Sequence, residues 1–129
     1  MTIIVSEQDL TRIRSYLGDS TYASNLPNYL RKLNRELETA EVLSPDQVPS
    51  NVVAIDSRVE FTDLDSDETF HYTLVLPSQA NIDKQRMSIT VPMGAALLGY
   101  KEGDTVEWPV PGGTARIHID RVVQEPQTN

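Results

Sequence analysis

The chain of 129 residues has no cysteine. A disulfide framework, a zinc site built on thiolates and a cysteine nucleophile are therefore excluded. Its apolar runs are all far shorter than the ~20 residues that a membrane-spanning helix needs. The N-terminal residues MTIIVSEQDL lack the basic flank and long apolar core of a secretory signal peptide. We therefore expect a soluble cytoplasmic protein that does not contact a membrane.

Positive charge is also scarce. The chain has 11 Lys and Arg residues against 19 Asp and Glu residues, which gives a net charge of -8. Non-specific binding of nucleic acid depends on Lys and Arg neutralising phosphates. We therefore expect no direct binding to DNA. A basic surface on a partner protein suits this charge better, because opposite potentials steer encounter.

Residue patterns that mark catalytic or metal sites are missing. His71 and His118 lie in strand-like segments without a metal-ligand spacing. The acidic run 63–68 lacks the central glycine and the distant glutamate of a calcium loop, which favours a solvated turn. No serine stands in a Gly-x-Ser-x-Gly elbow, and the glycines fit no phosphate-binding loop. The sequence predicts a protein that is not an enzyme and holds no metal ion or cofactor.

The first third of the chain has a helical period. Ser6 is a candidate N-cap, because Glu7 and Asp9 follow in the first turn, where the helix dipole favours negative charge. A second apolar series, beginning near Asn25, has the spacing of a heptad seam: Leu26, Leu30, Leu33, Leu37 and Ala40. Two helices joined by a short turn pack antiparallel, so residues 1–43 are predicted to form a helical hairpin. The hairpin either folds onto the rest of the chain or projects from it as an arm.

Residues 44–51 are expected to be a linker, since Pro45 and Pro49 interrupt regular structure there. Beyond it, short alternating or apolar segments predict strands: 52–55, 58–62, 70–76, 87–91, 105–110 and 116–123. Residues 94–98 predict one short helix that Gly99 ends, and residues 111–113 form a hairpin turn. The pattern predicts an α+β fold in which an antiparallel sheet over residues 52–129 wraps on a helix.

Two large side chains allow two interpretations each. Trp108 lies on a predicted strand, where a large ring is most often part of the core, whereas an exposed ring would be a candidate anchor for a partner. Met93 stands at the start of the short helix. It either packs inward or meets a partner, since methionine adapts to both environments.

The segment Met-Ser-Ile-Thr-Val-Pro-Met-Gly-Ala-Ala-Leu-Leu-Gly, followed by Lys-Glu-Gly-Asp-Thr-Val-Glu-Trp and Pro-Gly-Gly, resembles the C-terminal domain of the GreA/GreB transcription factors. Residues 51–64 resemble the first strands of that domain. The form Val-Pro-Met-Gly-Ala-Ala-Leu-Leu-Gly behind a short helical pair is still more similar to one short member of this family. The resemblance covers roughly residues 22–125. It implies an FKBP-like β domain behind a helical hairpin.

The resemblance also implies a partner, bacterial RNA polymerase, which a monomer would bind at the rim of the secondary channel. Carried over by position, the docking surface comprises Val91, Pro92, Met93 and Gly94, with Leu97 and Leu98 supporting it from beneath.

The hairpin departs from the family's pattern. In Gre factors a long coiled coil ends in two acids that help hold a magnesium ion for transcript cleavage. Here the hairpin is much shorter, and its tip comprises Asp19, Ser20, Thr21 and Tyr22, with a single carboxylate. The sequence therefore predicts a regulator that competes with Gre-type factors without transcript cleavage. Two alternatives stay open: a cleavage factor in which Asp19 contacts the metal, and an FKBP-like peptidyl-prolyl isomerase, which would need an aromatic-lined pocket.

Overall fold

A computed structural model describes residues 2–17 and 26–124 of the chain. Its helices and strands follow in this order: β1 (Ile4–Ser6), α1 (Glu7–Leu17), α2 (Asn28–Glu38), β2 (Glu41–Leu43), β3 (Ser57–Asp63), β4 (Glu68–Val75), β5 (Arg86–Ser88), α3 (Pro92–Leu97), β6 (Thr105–Val110) and β7 (Gly113–Gln124). Within these two ranges, three short 3₁₀ turns lie between the elements, at Pro45–Gln47, Pro77–Gln79 and Ile82–Lys84. The predicted α+β class is confirmed. Over the described ranges, no helix is long and apolar enough to cross a membrane.

The main sheet has five strands in the order β5-β4-β3-β7-β6. Neighbouring strands are antiparallel except at one edge, where β5 runs parallel to β4. The prediction of an antiparallel sheet is therefore wrong at this edge. The physical reason is the connection over residues 76–85, whose two 3₁₀ turns carry the chain back before it enters β5. A parallel pair needs such a crossover, whereas an antiparallel pair needs only a tight turn.

A second, smaller sheet joins the two ends of the helical region. Strands β1 and β2 pair in parallel, with Ile4 opposite Glu41 and Ser6 opposite Leu43. The sequence did not indicate either strand, because three residues are too few to show an alternating pattern. The predicted strand over residues 52–55 is wrong, since this segment forms turns and a single bridge between Val52 and Lys101.

Both long helices start where local chemistry favours a start. The Asp9 backbone N–H donates to Ser6 Oγ at 3.0 Å, which confirms Ser6 as the N-cap of α1. Helix α2 begins at Asn28, directly after Pro27, whose carbonyl accepts hydrogen bonds from the N–H groups of Leu30 and Arg31. The predicted hairpin tip, residues 19–22, lies outside the described residues.

The helices and the inner face of the sheet share one hydrophobic core. Ile13 of α1 and Leu33 of α2 are fully buried in it, together with Phe61, Trp108 and Ile117 of the sheet. Full burial of such side chains contributes about 1.5–3 kcal/mol each. Of the two arrangements that the sequence allowed, the described parts of both helices adopt the one folded onto the sheet.

Candidate functional site

The turn between β5 and α3 carries the residues predicted to dock on a partner. We call Val91, Pro92 and Met93 the α3 corner. Hydrogen bonds fix the backbone that leads into it: Ser88 Oγ accepts from the Thr90 N–H at 3.0 Å, and the Ser88 carbonyl accepts from the Val91 N–H at 3.3 Å. Both hydrogen bonds connect the turn to Ser88, the last residue of β5.

Helix α3 begins directly at this corner. Pro92 occupies its first position, where the ring presets the helical φ and no N–H is needed. Val91 is extended, with φ -86° and ψ 156°, and its carbonyl accepts the first helical bond from the Ala95 N–H at 2.9 Å. The Val91 side chain is 39% exposed. Pro92 and Met93 are half-buried, and Met93 packs against the core.

The other predicted docking residues face inward. A Cβ at Gly94 would lie 2.0 Å from the Ser88 carbonyl oxygen, so only glycine lets α3 approach β5 this closely. Leu97 and Leu98 are buried in the core below the corner. The structure thus places all six residues in one region. Three of them offer surface, and the other three set the position of that surface.

Helix α3 ends at a position that also requires glycine. Gly99 has a φ of +83°, and a Cβ there would lie 2.6 Å from Ile3 Cβ. Its carbonyl accepts from the Ile4 N–H at 3.1 Å, and its own N–H donates to the Val53 carbonyl at 2.9 Å. The prediction that Gly99 ends the helix is confirmed. These bonds tie the end of α3 to β1 and to the chain before β3.

Helix α2 is attached to the sheet through two aromatic side chains. Trp108 is fully buried, and its Nε1–H donates to the Tyr29 carbonyl at 3.1 Å. The ring packs edge-on against Tyr100, with centroids 6.3 Å apart, and Lys32 Nζ lies 5.1 Å from its centroid. The interpretation of Trp108 as a core residue is confirmed, and its interpretation as an exposed anchor is wrong.

Tyr100 adds a polar contact to the same helix. Its hydroxyl donates to Glu36 Oε1 at 3.2 Å. Burial raises the pKa of the Tyr100 phenol well above its usual value, and the neighbouring Glu36 carboxylate raises it further because a second negative charge would be repelled. The phenol therefore stays a hydrogen-bond donor at any physiological pH.

Helix α1 is attached through a buried carboxylate, Asp9, for which the sequence predicted only an interaction with the helix dipole. Asp9 is 6% exposed, its Oδ1 accepts from Arg12 Nη2 at 2.8 Å, and its Oδ2 accepts from the Ile55 N–H at 3.2 Å. Farther along the helix, the Tyr16 hydroxyl donates to Ser78 Oγ at 3.3 Å. No sequence pattern links Asp9 to Ile55, because the two residues are 46 positions apart.

A cleft of about 300 Å³ opens beside Asp9. Its lining comprises Ser6, Gln8, Asp9, Arg12, Pro45, Val48, Pro49, Ser50, Ala54, Ile55 and Gln124. No aromatic side chain lines it. The aromatic residues of the sheet instead pack on each other, with the rings of Phe61 and Phe70 5.6 Å apart. This cleft therefore lacks the lining that an isomerase pocket would need.

The remaining titratable side chains form no metal centre within residues 2–17 and 26–124, where no group of three or more His, Asp and Glu side chains is placed to hold an ion. The acidic run forms the β3–β4 turn, as predicted, and Asp63 Oδ1 accepts from the Asp65 N–H at 2.9 Å. His118 Nδ1 lies 3.0 Å from Thr105 Oγ1, and His71 Nε2 lies 2.9 Å from Gln85 Nε2. His71 thus lies beside a neutral amide, whereas His118 also places its Nε2 3.9 Å from Asp120 Oδ1.

Residues 48–123 match the family described as transcription elongation factor, GreA/GreB, C-terminal. The chain belongs to the GreA/GreB family, and the resemblance stated from the sequence is confirmed. The matched range contains the α3 corner, Tyr100 and Trp108, whereas α1 and α2 precede it.

Among particular relatives, the regulator of nucleoside diphosphate kinase of Escherichia coli (strain K12) is 40% identical over 119 residues, which cover 92% of this chain and 85% of the relative. This relative is the short family member to which the sequence was compared above. The transcription elongation factor GreA of Nautilia profundicola is 34% identical over 117 residues, covering 91% of this chain and 72% of the relative. A solved structure, the prokaryotic transcription elongation factor GreA/GreB from Nitrosomonas europaea, superposes with a TM-score of 0.71 at 37% identity, covering 95% of this chain and 98% of that one.

Proposed function

We propose that this chain is a cytoplasmic, monomeric regulator that binds bacterial RNA polymerase at the rim of the secondary channel. It competes there with Gre-type factors and does not stimulate transcript cleavage. Membership of the GreA/GreB family supports the link to transcription, because two of the three relatives reported above are named as transcription elongation factors. The proposed docking surface is argued from the α3 corner, and the proposed absence of cleavage is argued from the short helical region.

The observation that carries the proposal is the α3 corner. Val91 is an exposed apolar side chain beside the half-buried Pro92 and Met93, and all three stand on a turn whose backbone is hydrogen-bonded. Gly94 and the buried leucines of α3 hold that turn in place. A preformed apolar surface loses little conformational freedom on binding, so more of its contact energy appears as affinity.

The helical region supports binding without cleavage. Helices α1 and α2 have 11 residues each, so each rises only ~16 Å. Residues 18–25, between them, include one acid, Asp19. Hard divalent cations are held by several oxygen ligands. A single carboxylate in the segment between two short helices is a poor magnesium ligand, and helices of this length that pack on the sheet do not extend far into a channel.

The attachment of both helices to the sheet supports competition by occupancy. Asp9 of α1 accepts from the Ile55 N–H just before β3, and Trp108 of β6 donates to the Tyr29 carbonyl of α2. The helices and the α3 corner therefore belong to one packed body. When the corner docks, the helices enter the channel mouth in one orientation. Exclusion of another factor then depends on concentration and affinity alone.

A competition experiment tests this proposal. Labelled GreA is displaced from core RNA polymerase by the wild-type chain, by Val91→Glu or by Val42→Glu. Val42 is a matched control for Val91, since the two residues are 40% and 39% exposed, respectively. We expect Val91→Glu to weaken displacement at least about tenfold, equivalent to ~1.4 kcal/mol, and Val42→Glu to behave as wild type. Equal effects of the two substitutions, or no displacement by the wild type at micromolar concentration, would contradict the proposal.

The cleavage alternative is separated by a different measurement. Stalled elongation complexes are incubated with the wild-type chain or with Asp19→Ala, and short RNA products are quantified. We expect no products from either protein. Products that appear with the wild type and are lost with Asp19→Ala would establish a cleavage factor instead. A proline-isomerisation assay at the background rate would remove the isomerase alternative.

A further inference from the structure

The outer face of the sheet carries three arginines in neighbouring register positions. Arg58 of β3 stands opposite Thr73 of β4, and Thr73 stands opposite Arg86 of β5. Paired residues share a face, and strands lie ~5 Å apart, so the Cα atoms of Arg58 and Arg86 are about 10 Å apart. Both arginines are exposed.

The third arginine extends this group across the sheet. Arg121 of β7 stands opposite Glu60, two residues along β3 from Arg58. A diagonal pair of this kind is separated by about 7–8 Å. Val123 stands directly opposite Arg58 and is 40% exposed. We call Arg58, Arg86 and Arg121 the arginine face.

The three arginines of this face are positively charged, whereas the chain as a whole has a negative net charge. Among the residues that the structure describes, Arg12 and Arg116 form ion pairs with acids within 4.0 Å, and the three arginines of this face form none. Two acids lie on this face: Glu60 lies between the arginines, and Asp120, next to Arg121, accepts from Thr62 Oγ1 at 2.6 Å. The helices pack on the inner side with Phe61 and Trp108. Three exposed guanidinium groups therefore gather on one side of a chain whose net charge is -8.

We propose that the arginine face binds an acidic segment of a partner protein. Guanidinium groups pair with carboxylates through two parallel hydrogen bonds, and they lose less hydration than ammonium groups when they do so. Val123 and Thr73 add an apolar contact and a hydroxyl beside the charges. This surface is separate from the α3 corner, because α3 packs on the inner side of the sheet. It therefore predicts a second contact beyond the proposed docking.

A protein is favoured over nucleic acid by two observations. Sites for single strands rely on exposed aromatic rings on which bases stack, and the exposed positions around the three arginines hold no Phe, Tyr or Trp. The net charge of -8 also repels a long polyanion more strongly than it repels a short acidic segment. Decaglutamate and decathymidylate have the same length and nearly equal charge, so the order of their affinities tests the first of these observations directly.

The probe is a fluorescein-labelled decaglutamate peptide, and its binding is measured by fluorescence anisotropy at low salt. The test variant is Arg58→Glu/Arg86→Glu/Arg121→Glu. The control is Arg31→Glu/Arg35→Glu/Lys101→Glu, which has the same net charge and changes exposed residues elsewhere. Since the two variants have the same net charge, a difference between them reports where the charges were changed. We expect the test variant to bind at least about tenfold more weakly than the control.

Further measurements locate the site and identify its preference. Amide chemical shifts of the wild type should change at Thr73 and Val123 on addition of the peptide. Decathymidylate should bind more weakly than decaglutamate. If the test variant does not fold, Arg58→Gln/Arg86→Gln/Arg121→Gln is compared with Arg31→Gln/Arg35→Gln/Lys101→Gln, which removes the same number of charges elsewhere, and this pair decides the question. Equal affinity of the Glu or Gln variant and the control, shifts elsewhere, tighter binding of decathymidylate, or no binding at about 1 mM protein would overturn the proposal.

Discussion

The two long helices are attached to the same sheet by different kinds of interaction. Helix α2 rests on the fully buried Trp108 and the buried Tyr100, with hydrogen bonds only at the edges of the rings. Helix α1 depends on Asp9, whose two carboxylate oxygens accept from Arg12 and from the Ile55 backbone. Burial of an aromatic ring is non-directional, whereas a buried carboxylate stabilises only while its bonds are made.

This difference has a consequence for the proposed docking. Helix α3 lies against both α2 and β6, the strand that carries Trp108. Loss of the tryptophan therefore loosens the support of the α3 corner as well as the attachment of α2. Loss of Asp9 affects α1 and the segment before β3, which is bonded to the far end of α3 at Gly99 and not to the corner itself. Substitutions at the two attachments should separate these effects.

The largest effect is expected at Trp108. Trp108→Ala leaves a large cavity and should lower the free energy of unfolding by about 3–5 kcal/mol, measured by urea denaturation. Trp108→Phe is the matched control. It keeps an aromatic ring but loses the hydrogen bond to the Tyr29 carbonyl, so we expect a smaller loss, about 1–2 kcal/mol. Equal losses from the two substitutions would mean that the hydrogen bond, and not packing, holds α2.

An intermediate loss of stability is expected when Asp9 is replaced. Asp9→Ala leaves the buried Ile55 N–H without its acceptor and removes the partner of Arg12, which should lower the free energy of unfolding by about 1–3 kcal/mol. The control is Glu7→Ala, an exposed acid in the same helical turn, for which a change within about 0.5 kcal/mol is expected. Hydrogen exchange of the Ile55 amide should become faster only in the Asp9 variant. Unchanged exchange there would contradict the role given to the carboxylate.

The smallest effect is expected at Tyr100 and depends on pH. Tyr100→Phe removes one hydrogen bond, about 0.5–1.5 kcal/mol at neutral pH. Because the pKa of Tyr100 is raised in the folded state, its contribution is complete below the unfolded tyrosine pKa of about 10 and is lost as pH rises above it. Urea unfolding between pH 8 and 11 should show a weaker decline in Tyr100→Phe than in the wild type.

The pH comparison has its own control. Tyr16 is exposed, and its hydroxyl reaches only Ser78. Tyr16→Phe should therefore keep the alkaline decline of the wild type. If both Phe variants decline as the wild type does, the contact between Tyr100 and Glu36 contributes nothing to the pH dependence.

Features set by neighbouring residues could be predicted from the sequence. Ser6 caps α1, Pro92 starts α3 and Gly99 ends it, because each acts on backbone groups within a few positions. Strands β3 and β7 follow their alternating patterns, and the turns at 64–67 and 111–112 join the hairpins as expected. The family resemblance identified the α3 corner for the same reason, since its motif is one continuous segment.

Features set by distant residues could not be predicted. The family resemblance implied the same docking role for Gly94 and Val91, but Gly94 is buried against the Ser88 carbonyl and Val91 is exposed. The parallel pairing of β5 depends on how residues 76–85 cross over, which no local pattern records. The arginine face is likewise invisible in sequence, because its members come from three strands.

The amino-acid order by itself determined where helices and turns begin and end, the excess of negative charge and the family to which the chain belongs. These properties depend on local backbone preferences and on composition. Only the tertiary structure decided that the helices rest on the sheet, that Asp9 is buried and that three arginines share one face. Such outcomes depend on contacts between residues tens of positions apart, whose free energy exists only once the chain has packed.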